Sequence, residues 1–121
     1  MAWNLDSDRP IYAQIIEHIR MDIISGKYKP GDRLPAVREL ALVAAVNPNT
    51  MQKALADLED LGLVFTRRTS GRFVTTDTEV IKKNRELVVR NSLETLIESL
   101  RRLGYTKEEL IELVTRFVKE A

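Results

Sequence analysis

Side chains suited to binding a ligand gather in two short segments of the chain. Asn49, Gln52 and Lys53 fall on one face of a predicted helix, and their amide and ammonium groups suit hydrogen bonds to base edges and phosphates. Residues 63–76 contain Arg67, Arg68 and Arg72 but no acidic residue. A local cluster of cations beside a polar helix face predicts binding of a nucleic acid.

Residues that could catalyse a reaction are scarce. The chain has no cysteine, and its single histidine, His18, has no cysteine or second histidine with which to complete a metal site. Glu108, Glu109 and Glu112 lie at the start of a predicted helix, where acidic groups suit the helix dipole and face solvent. No glycine-rich phosphate loop is present. We therefore expect a protein that is not an enzyme, with no catalytic residues, no metal and no cofactor.

Two short helices would position the first polar cluster. Val37, Leu40, Ala41 and Ala44 recur at helical spacing and predict a helix over residues 36–44. Asn47 is suited to cap a second helix that has Pro48 at its first position. The buried stripe of that helix is expected to be Met51, Ala54, Leu55, Leu58 and Leu61, with Gly62 as its end. The short connection predicts a helix-turn-helix whose second helix enters the major groove of DNA.

The flanking segments extend this unit to a winged helix. Pro10 opens a strongly amphipathic helix that Gly26 ends. Arg33 and Leu34 predict a short strand ahead of the helix-turn-helix. Residues 64–68 and 72–75 are rich in β-branched and aromatic types, and Thr69, Ser70 and Gly71 between them favour a hairpin. We predict a winged helix-turn-helix DNA-binding domain over residues 1–76, in a chain that is mainly α with one small β-hairpin.

Residues 77–121 predict a two-helix element. Apolar residues recur over residues 78–103, Gly104 ends that helix, and Thr106 with Glu109 forms a capping box for the last helix. Two amphipathic helices cannot bury all of their apolar surface against each other, so they need either the winged domain or a second subunit. A symmetric homodimer is the commonest arrangement and is the one expected. The residues predicted to mediate dimerisation are Val80, Leu87, Val88, Leu96, Ile97, Leu100, Leu110, Val114 and Phe117.

Composition and charge restrict the class of protein further. The hydrophobic content of 44% is typical of a globular chain, and the net charge is only +1 at pH 7. A DNA-binding protein with so little net charge is expected to depend on dimerisation for its affinity. No apolar run approaches the ~20 residues that span a bilayer, and the N-terminus does not resemble a signal peptide. We expect a cytoplasmic protein with no membrane partner.

One run of residues resembles a known family. This run is PIYAQIIEHIRMDIISGKYKPGDRLPAVRELALVAAVNPNTMQKALADLEDLGLVFTRR, followed by SGRFV. It is similar to the N-terminal winged-helix domain of GntR-type bacterial transcriptional regulators, over about residues 10–75. The remaining 44 or so residues resemble the short two-helix tail of the YtrA-type branch. That resemblance implies a dimeric repressor, often of a transporter operon. The two recognition helices of such a dimer would enter successive major grooves of a palindromic operator.

The resemblance also implies roles for individual residues on double-stranded DNA. Arg38 would contact a phosphate or a guanine edge. The residues expected at the major groove are Asn47, Asn49, Thr50, Gln52 and Lys53, and which of them contact bases is left open. The residues expected in the wing are Arg67, Arg68, Thr69, Ser70, Gly71 and Arg72.

Two positions depart from the pattern of the family. Ala36 replaces a common serine and offers only its backbone N–H to a phosphate. Thr69 replaces a wing glycine, so we do not expect the wing to read the minor groove.

The winged helix could instead bind another protein, and the wing arginines could merely solubilise the hairpin. Any small-molecule effector would lie between the tail helices, at the dimer interface, or between the tail and the winged domain.

Overall fold

A computed structural model describes residues 3–121, and this part of the chain holds five α-helices and one two-stranded antiparallel sheet. The elements are α1 (Ile11–Ile24), α2 (Val37–Ala44), α3 (Pro48–Asp60), β1 (Val64–Arg67), β2 (Gly71–Val74), α4 (Thr78–Arg102) and α5 (Lys107–Glu120). The predicted fold, a winged helix-turn-helix followed by two helices, is confirmed. The described residues up to Asn84 form one compact unit, and Arg85–Ala121 form another.

Helix α3 is central to the first unit, where it packs against both α1 and α2. Its predicted apolar stripe is confirmed except at Leu61, which is 44% exposed at the end of the helix. Ile15, Ile19 and Ile23 of α1 are each no more than 2% exposed and contribute to the same core. Large aliphatic side chains buried to this extent each stabilise the fold by about 1.5 to 3 kcal/mol.

Local chemistry sets the turn of the helix-turn-helix. Asn47 Oδ1 accepts a hydrogen bond of 2.8 Å from the Asn49 N–H, and Pro48 occupies the first turn of α3, as predicted. At the end of α2, Ala45 has φ 59° and ψ 48°, the left-handed conformation that glycine adopts more easily. The turn therefore holds one residue in an unfavourable backbone conformation.

The wing is a hairpin with a third segment beside it. Strand β1 pairs with β2 in the register Val64↔Val74 to Arg67↔Gly71, so β2 begins one residue earlier than expected. The predicted strand at Arg33 is a single antiparallel bridge to Phe73, flanked by a hydrogen bond of 2.9 Å from the Leu34 N–H to the Arg72 carbonyl. Backbone hydrogen bonds thus fix the base of the wing.

The first unit also includes the N-terminal lead. Trp3 stacks on His18 with ring centroids 3.7 Å apart. Gln14, only 5% exposed, accepts from the Asp6 N–H at 2.7 Å and donates to the Asp6 carbonyl at 2.8 Å. The lead is therefore packed on α1.

The second unit contains the later part of α4 and the whole of α5. Gly104 has φ 95° and follows α4, and the Thr106–Glu109 capping box at α5 is confirmed. The backbone N–H of Thr106 donates to Glu109 and holds the pKa of that carboxyl below its usual value. Among residues 3–121, no helix combines the length and apolar character needed to cross a membrane.

Candidate nucleic-acid interface

The polar face of α3 is open to solvent. Asn49, Gln52 and Lys53 are exposed and Thr50 is half-buried, while Met51 on the other side of the helix is fully buried. Because the first turns of a recognition helix are the part that enters the major groove, these side chains lie where base edges would be reached. The fold therefore brings these four sequence-predicted residues to one surface.

Asn47 lies at the same end of α3 but has a second task. Its Oδ1 accepts from the Asn49 N–H, so this oxygen stabilises the helix start rather than facing a ligand. The amide NH₂ of Asn47 retains its two donors for a phosphate or a base. The side chain is exposed.

Arg38 is exposed in the first turn of α2. Within the part of the chain that the structure describes, it forms no ion pair or side-chain hydrogen bond. Ala36 precedes α2 and gives it no side-chain cap, so the first N–H groups of α2 remain available. A cation beside uncapped helical N–H groups is suited to a phosphate.

Lys53 is exposed, but its ammonium contacts an aromatic ring. The Nζ atom lies 4.7 Å from the centroid of the Tyr12 ring, within cation–π range. Tyr12 is half-buried near the start of α1. Sequence analysis did not find this pair, because its members are 41 positions apart and only the packing of α1 on α3 brings them together.

The arginines of the wing have different surroundings. Arg68, Thr69, Ser70 and Gly71 are all exposed at the tip. The Arg67 guanidinium lies 5.8 Å from the Phe65 ring and 5.5 Å from the Phe73 ring, so it is ordered on one side of the hairpin. Arg67 and Arg68 therefore present the cations of the wing to solvent.

Arg72 instead joins the wing to the recognition helix. Its Nε lies 3.3 Å from Glu59 Oε1, and the two side chains are 21% and 32% exposed. The same carboxylate oxygen accepts a hydrogen bond from the Thr66 hydroxyl of β1. Glu59 thus connects the last turn of α3 to both strands, and the Nε of Arg72 is not directed at a ligand.

Arg33 is a cation near the wing that sequence analysis did not assign to the site. Its side chain covers Gly71, and its Nε lies 3.4 Å from the position that a Cβ on that glycine would take. Gly71 has φ 105°, a conformation that also favours glycine. The predicted strand at Arg33 was a usable signal, because pairing with the wing places its side chain near the hairpin.

The residues predicted to mediate dimerisation fall into two groups. Val80 is half-buried in the first unit, where its Cγ1 lies 3.6 Å from the position of a Cβ on Gly62. In the second unit Leu110 is buried and Val88 and Leu100 are half-buried. The remaining predicted residues are exposed: Leu87, Leu96, Ile97, Val114 and Phe117. The set predicted to mediate dimerisation did not include four other exposed apolar residues of the same helices, Val89, Leu93, Ile111 and Val118.

The matching family model identifies the class of this fold and surface. Residues 11–74 match the family described as bacterial regulatory proteins, gntR family. This chain belongs to the GntR family and is a DNA-binding transcriptional regulator, not an enzyme.

Two relatives agree with the short tail as well. The chain is 35% identical to the HTH-type transcriptional repressor YtrA of Bacillus subtilis, over 89% of this chain and 84% of that protein. A GntR family transcriptional regulator from Listeria monocytogenes has a similar structure, with a TM-score of 0.87 and 37% identity over 93% of this chain and 98% of that one. The predicted resemblance to the YtrA-like, short-tailed branch is confirmed.

A further solved structure shows a related winged helix on DNA. The DNA-binding domain of AraR, in complex with operator ORX1, matches 62% of this chain and 92% of that domain. Its TM-score is 0.54 and the identity is 33%. DNA is therefore the ligand of this fold in a related regulator.

Proposed function

We propose that this chain is a homodimeric repressor that binds a palindromic operator. The observation that carries the proposal is the open polar face of α3, which lies in the same unit as a wing with exposed cations. Two copies of α3 would enter successive major grooves, about 34 Å apart. Repression is proposed because YtrA is named a repressor. We also propose control of a transporter operon, which the resemblance implies, and a cytoplasmic location, which the sequence predicts.

On the operator, α3 would supply the base contacts. Asn49 and Gln52 are suited to adenine, and Lys53 to guanine or a phosphate. Thr50 would contact a phosphate or a thymine methyl, and the Asn47 amide would reach the backbone beside them. Their exposure on one helix face supports this assignment.

Phosphate contacts would come from the two sides of α3. Arg38 and the N–H groups at the start of α2 would bind one phosphate. Arg67, Arg68 and the backbone at Thr69, Ser70 and Gly71 would contact the strand beside the wing. Arg72 was predicted with this group, and we propose that it mainly holds the wing to Glu59.

Dimerisation would use the second unit. Ten apolar side chains of this unit are each more than a third exposed, which is unusual for a monomeric surface. They are Leu87, Val89, Leu93, Leu96, Ile97, Leu103, Ile111, Val114, Phe117 and Val118. Burying them against a second copy would remove this surface from water. We keep the predicted division of roles, with DNA binding in residues 1–76 and dimerisation in residues 77–121, of which residues 77–84 belong to the first compact unit.

An apolar groove between α4 and α5 is the candidate place for an effector. Leu93, Ile97, Leu110, Ile111 and Val114 contribute to a groove of about 430 Å³ within the second unit. Its lining suits an apolar side chain of the second subunit or an apolar small molecule. We propose that the groove lies at the interface with the partner subunit, and that an effector bound in it would act by changing the spacing of the two α3 helices.

A gel-shift titration with two matched variants tests the DNA-binding surface. Arg38→Ala should weaken binding to a selected operator at least ten-fold, because it removes a charge-assisted phosphate or guanine contact. Arg116→Ala removes one exposed arginine from α5 and should leave affinity unchanged. Equal affinity of both variants and the unaltered protein would remove Arg38 from the interface. An absence of specific DNA binding would favour the protein-interaction alternative.

A further inference from the structure

Tyr12 contacts the DNA-binding surface from a different helix. The Lys53 ammonium lies 4.7 Å from the centroid of the Tyr12 ring. Lys53 belongs to the polar face of α3, whereas Tyr12 is the second residue of α1. Because α1 packs against α3 and Tyr12 is half-buried, the ring is fixed relative to the recognition helix.

The ring restricts a side chain that would otherwise move freely. A lysine ammonium sits on a flexible four-carbon stem, and ordering that stem on a ligand costs rotamer entropy. The face of a tyrosine ring attracts the ammonium electrostatically and covers the apolar stem. A cation on such a ring keeps its charge and can still donate hydrogen bonds on the side that faces solvent.

We infer that Tyr12 is a positioning residue that holds Lys53 in place for its contact with the operator. The inference rests on the proposed function, because it requires Lys53 to contact DNA. The ring orders the ammonium before DNA arrives, so that the entropy cost of binding is smaller. Operator affinity then depends on an aromatic ring at position 12, although Tyr12 itself need not contact the DNA.

A double-mutant cycle in the full-length protein tests this role. Tyr12→Phe and Tyr12→Leu are each made in the unaltered chain and in Lys53→Met, and affinity for an operator selected from random DNA is measured by fluorescence anisotropy. Tyr12→Phe retains the ring and should bind within two-fold of the unaltered protein. Tyr12→Leu should bind about two- to five-fold more weakly per subunit, as expected when an exposed cation–π interaction is removed.

The Lys53→Met background separates positioning from a structural role. There Tyr12→Leu should cause no further loss of affinity, because no ammonium remains to be ordered. An equal loss in both backgrounds, or a loss in Tyr12→Phe as large as in Tyr12→Leu, would overturn the inference. In the free protein, the Lys53 Hε resonances should show a ring-current shift that Tyr12→Leu removes and Tyr12→Phe retains.

If Tyr12→Leu does not fold, a fluorinated aromatic residue at position 12 can test the same interaction. Trifluorophenylalanine at position 12 keeps the shape of phenylalanine but weakens the negative potential of the ring face. It should bind DNA more weakly than Tyr12→Phe only when Lys53 is present, and equal affinities would overturn the inference. If Lys53→Met binds as tightly as the unaltered protein, this inference fails alone. If the unaltered protein binds no DNA, the proposed function fails with it.

Discussion

Alanine substitutions at two arginines of the wing should have different effects. One should lower the stability of the fold, and the other should weaken DNA binding. Arg72 is 21% exposed and its Nε lies 3.3 Å from Glu59, whereas Arg68 is exposed at the tip. Replacing each with alanine removes the same side chain from neighbouring parts of one hairpin. Of these two arginines, Arg72 alone has a carboxylate partner among the described residues. Only Arg72→Ala should therefore lower the free energy of unfolding substantially.

The size of this decrease follows from the environment of the pair. A hydrogen bond to a charged group contributes about 1.5 to 3 kcal/mol, and a fully exposed ion pair contributes less than about 1 kcal/mol. A pair whose side chains are a fifth to a third exposed lies between these limits, so we expect a decrease of about 1 to 2 kcal/mol for Arg72→Ala. This corresponds to a decrease in Tm of about 4 to 16 °C for a unit of this size. Arg68→Ala should change the stability by less than about 0.5 kcal/mol.

Thermal unfolding followed by circular dichroism, at one fixed protein concentration, measures the stability of each variant. Fluorescence-anisotropy titrations at several salt concentrations measure its affinity for DNA. The plot of log K against log[salt] has a negative slope, and Arg68→Ala should reduce its steepness by about 0.9 for each phosphate that the variant no longer neutralises. Equal Tm values for the two variants would refute the role of Arg72. A cycle of Arg72→Ala with Glu59→Gln that shows no coupling would refute the pairing itself.

Three further variants test the turn, the helix cap and the dimer. Ala45→Gly should raise the free energy of unfolding by about 0.5 to 1 kcal/mol in urea titrations, because φ at this position is 59°; a decrease would contradict the strain. Asn47→Ala should be destabilised by about 1 kcal/mol through the missing cap and Asn47→Ser should recover most of it; equal stability would show that the cap is dispensable. Phe117→Glu, at a side chain 68% exposed, should produce monomers in sedimentation velocity, whereas Lys119→Glu should not; a dimeric Phe117→Glu variant would exclude α5 from the interface.

Elements defined by neighbouring residues could be predicted from the sequence. The Asn47–Pro48 start of α3 and the Thr106–Glu109 capping box of α5 depend on contacts within four residues, so the residue types alone indicate them. The buried face of α3 followed from its apolar spacing for the same reason. Local chemistry therefore accounts for most of the helix bounds.

Contacts between elements could not be predicted in this way. The spacing of charges gave no sign that Arg72 pairs with Glu59, because the two residues are 13 positions apart and meet only when the hairpin folds against α3. Apolar periodicity also placed Val80 with the tail, although it lies beside Gly62 in the first unit. A periodic pattern identifies which face of a helix is buried but does not identify what buries it.

Selection of bound sequences from a random DNA pool tests the central proposal most directly. The unaltered protein should enrich an inverted repeat whose half-sites are centred about 10 base pairs apart, or a multiple of this spacing, and should bind it as two subunits per operator. Enrichment of no inverted repeat, or binding of a single half-site by one subunit, would contradict a dimer that places two α3 helices in successive major grooves.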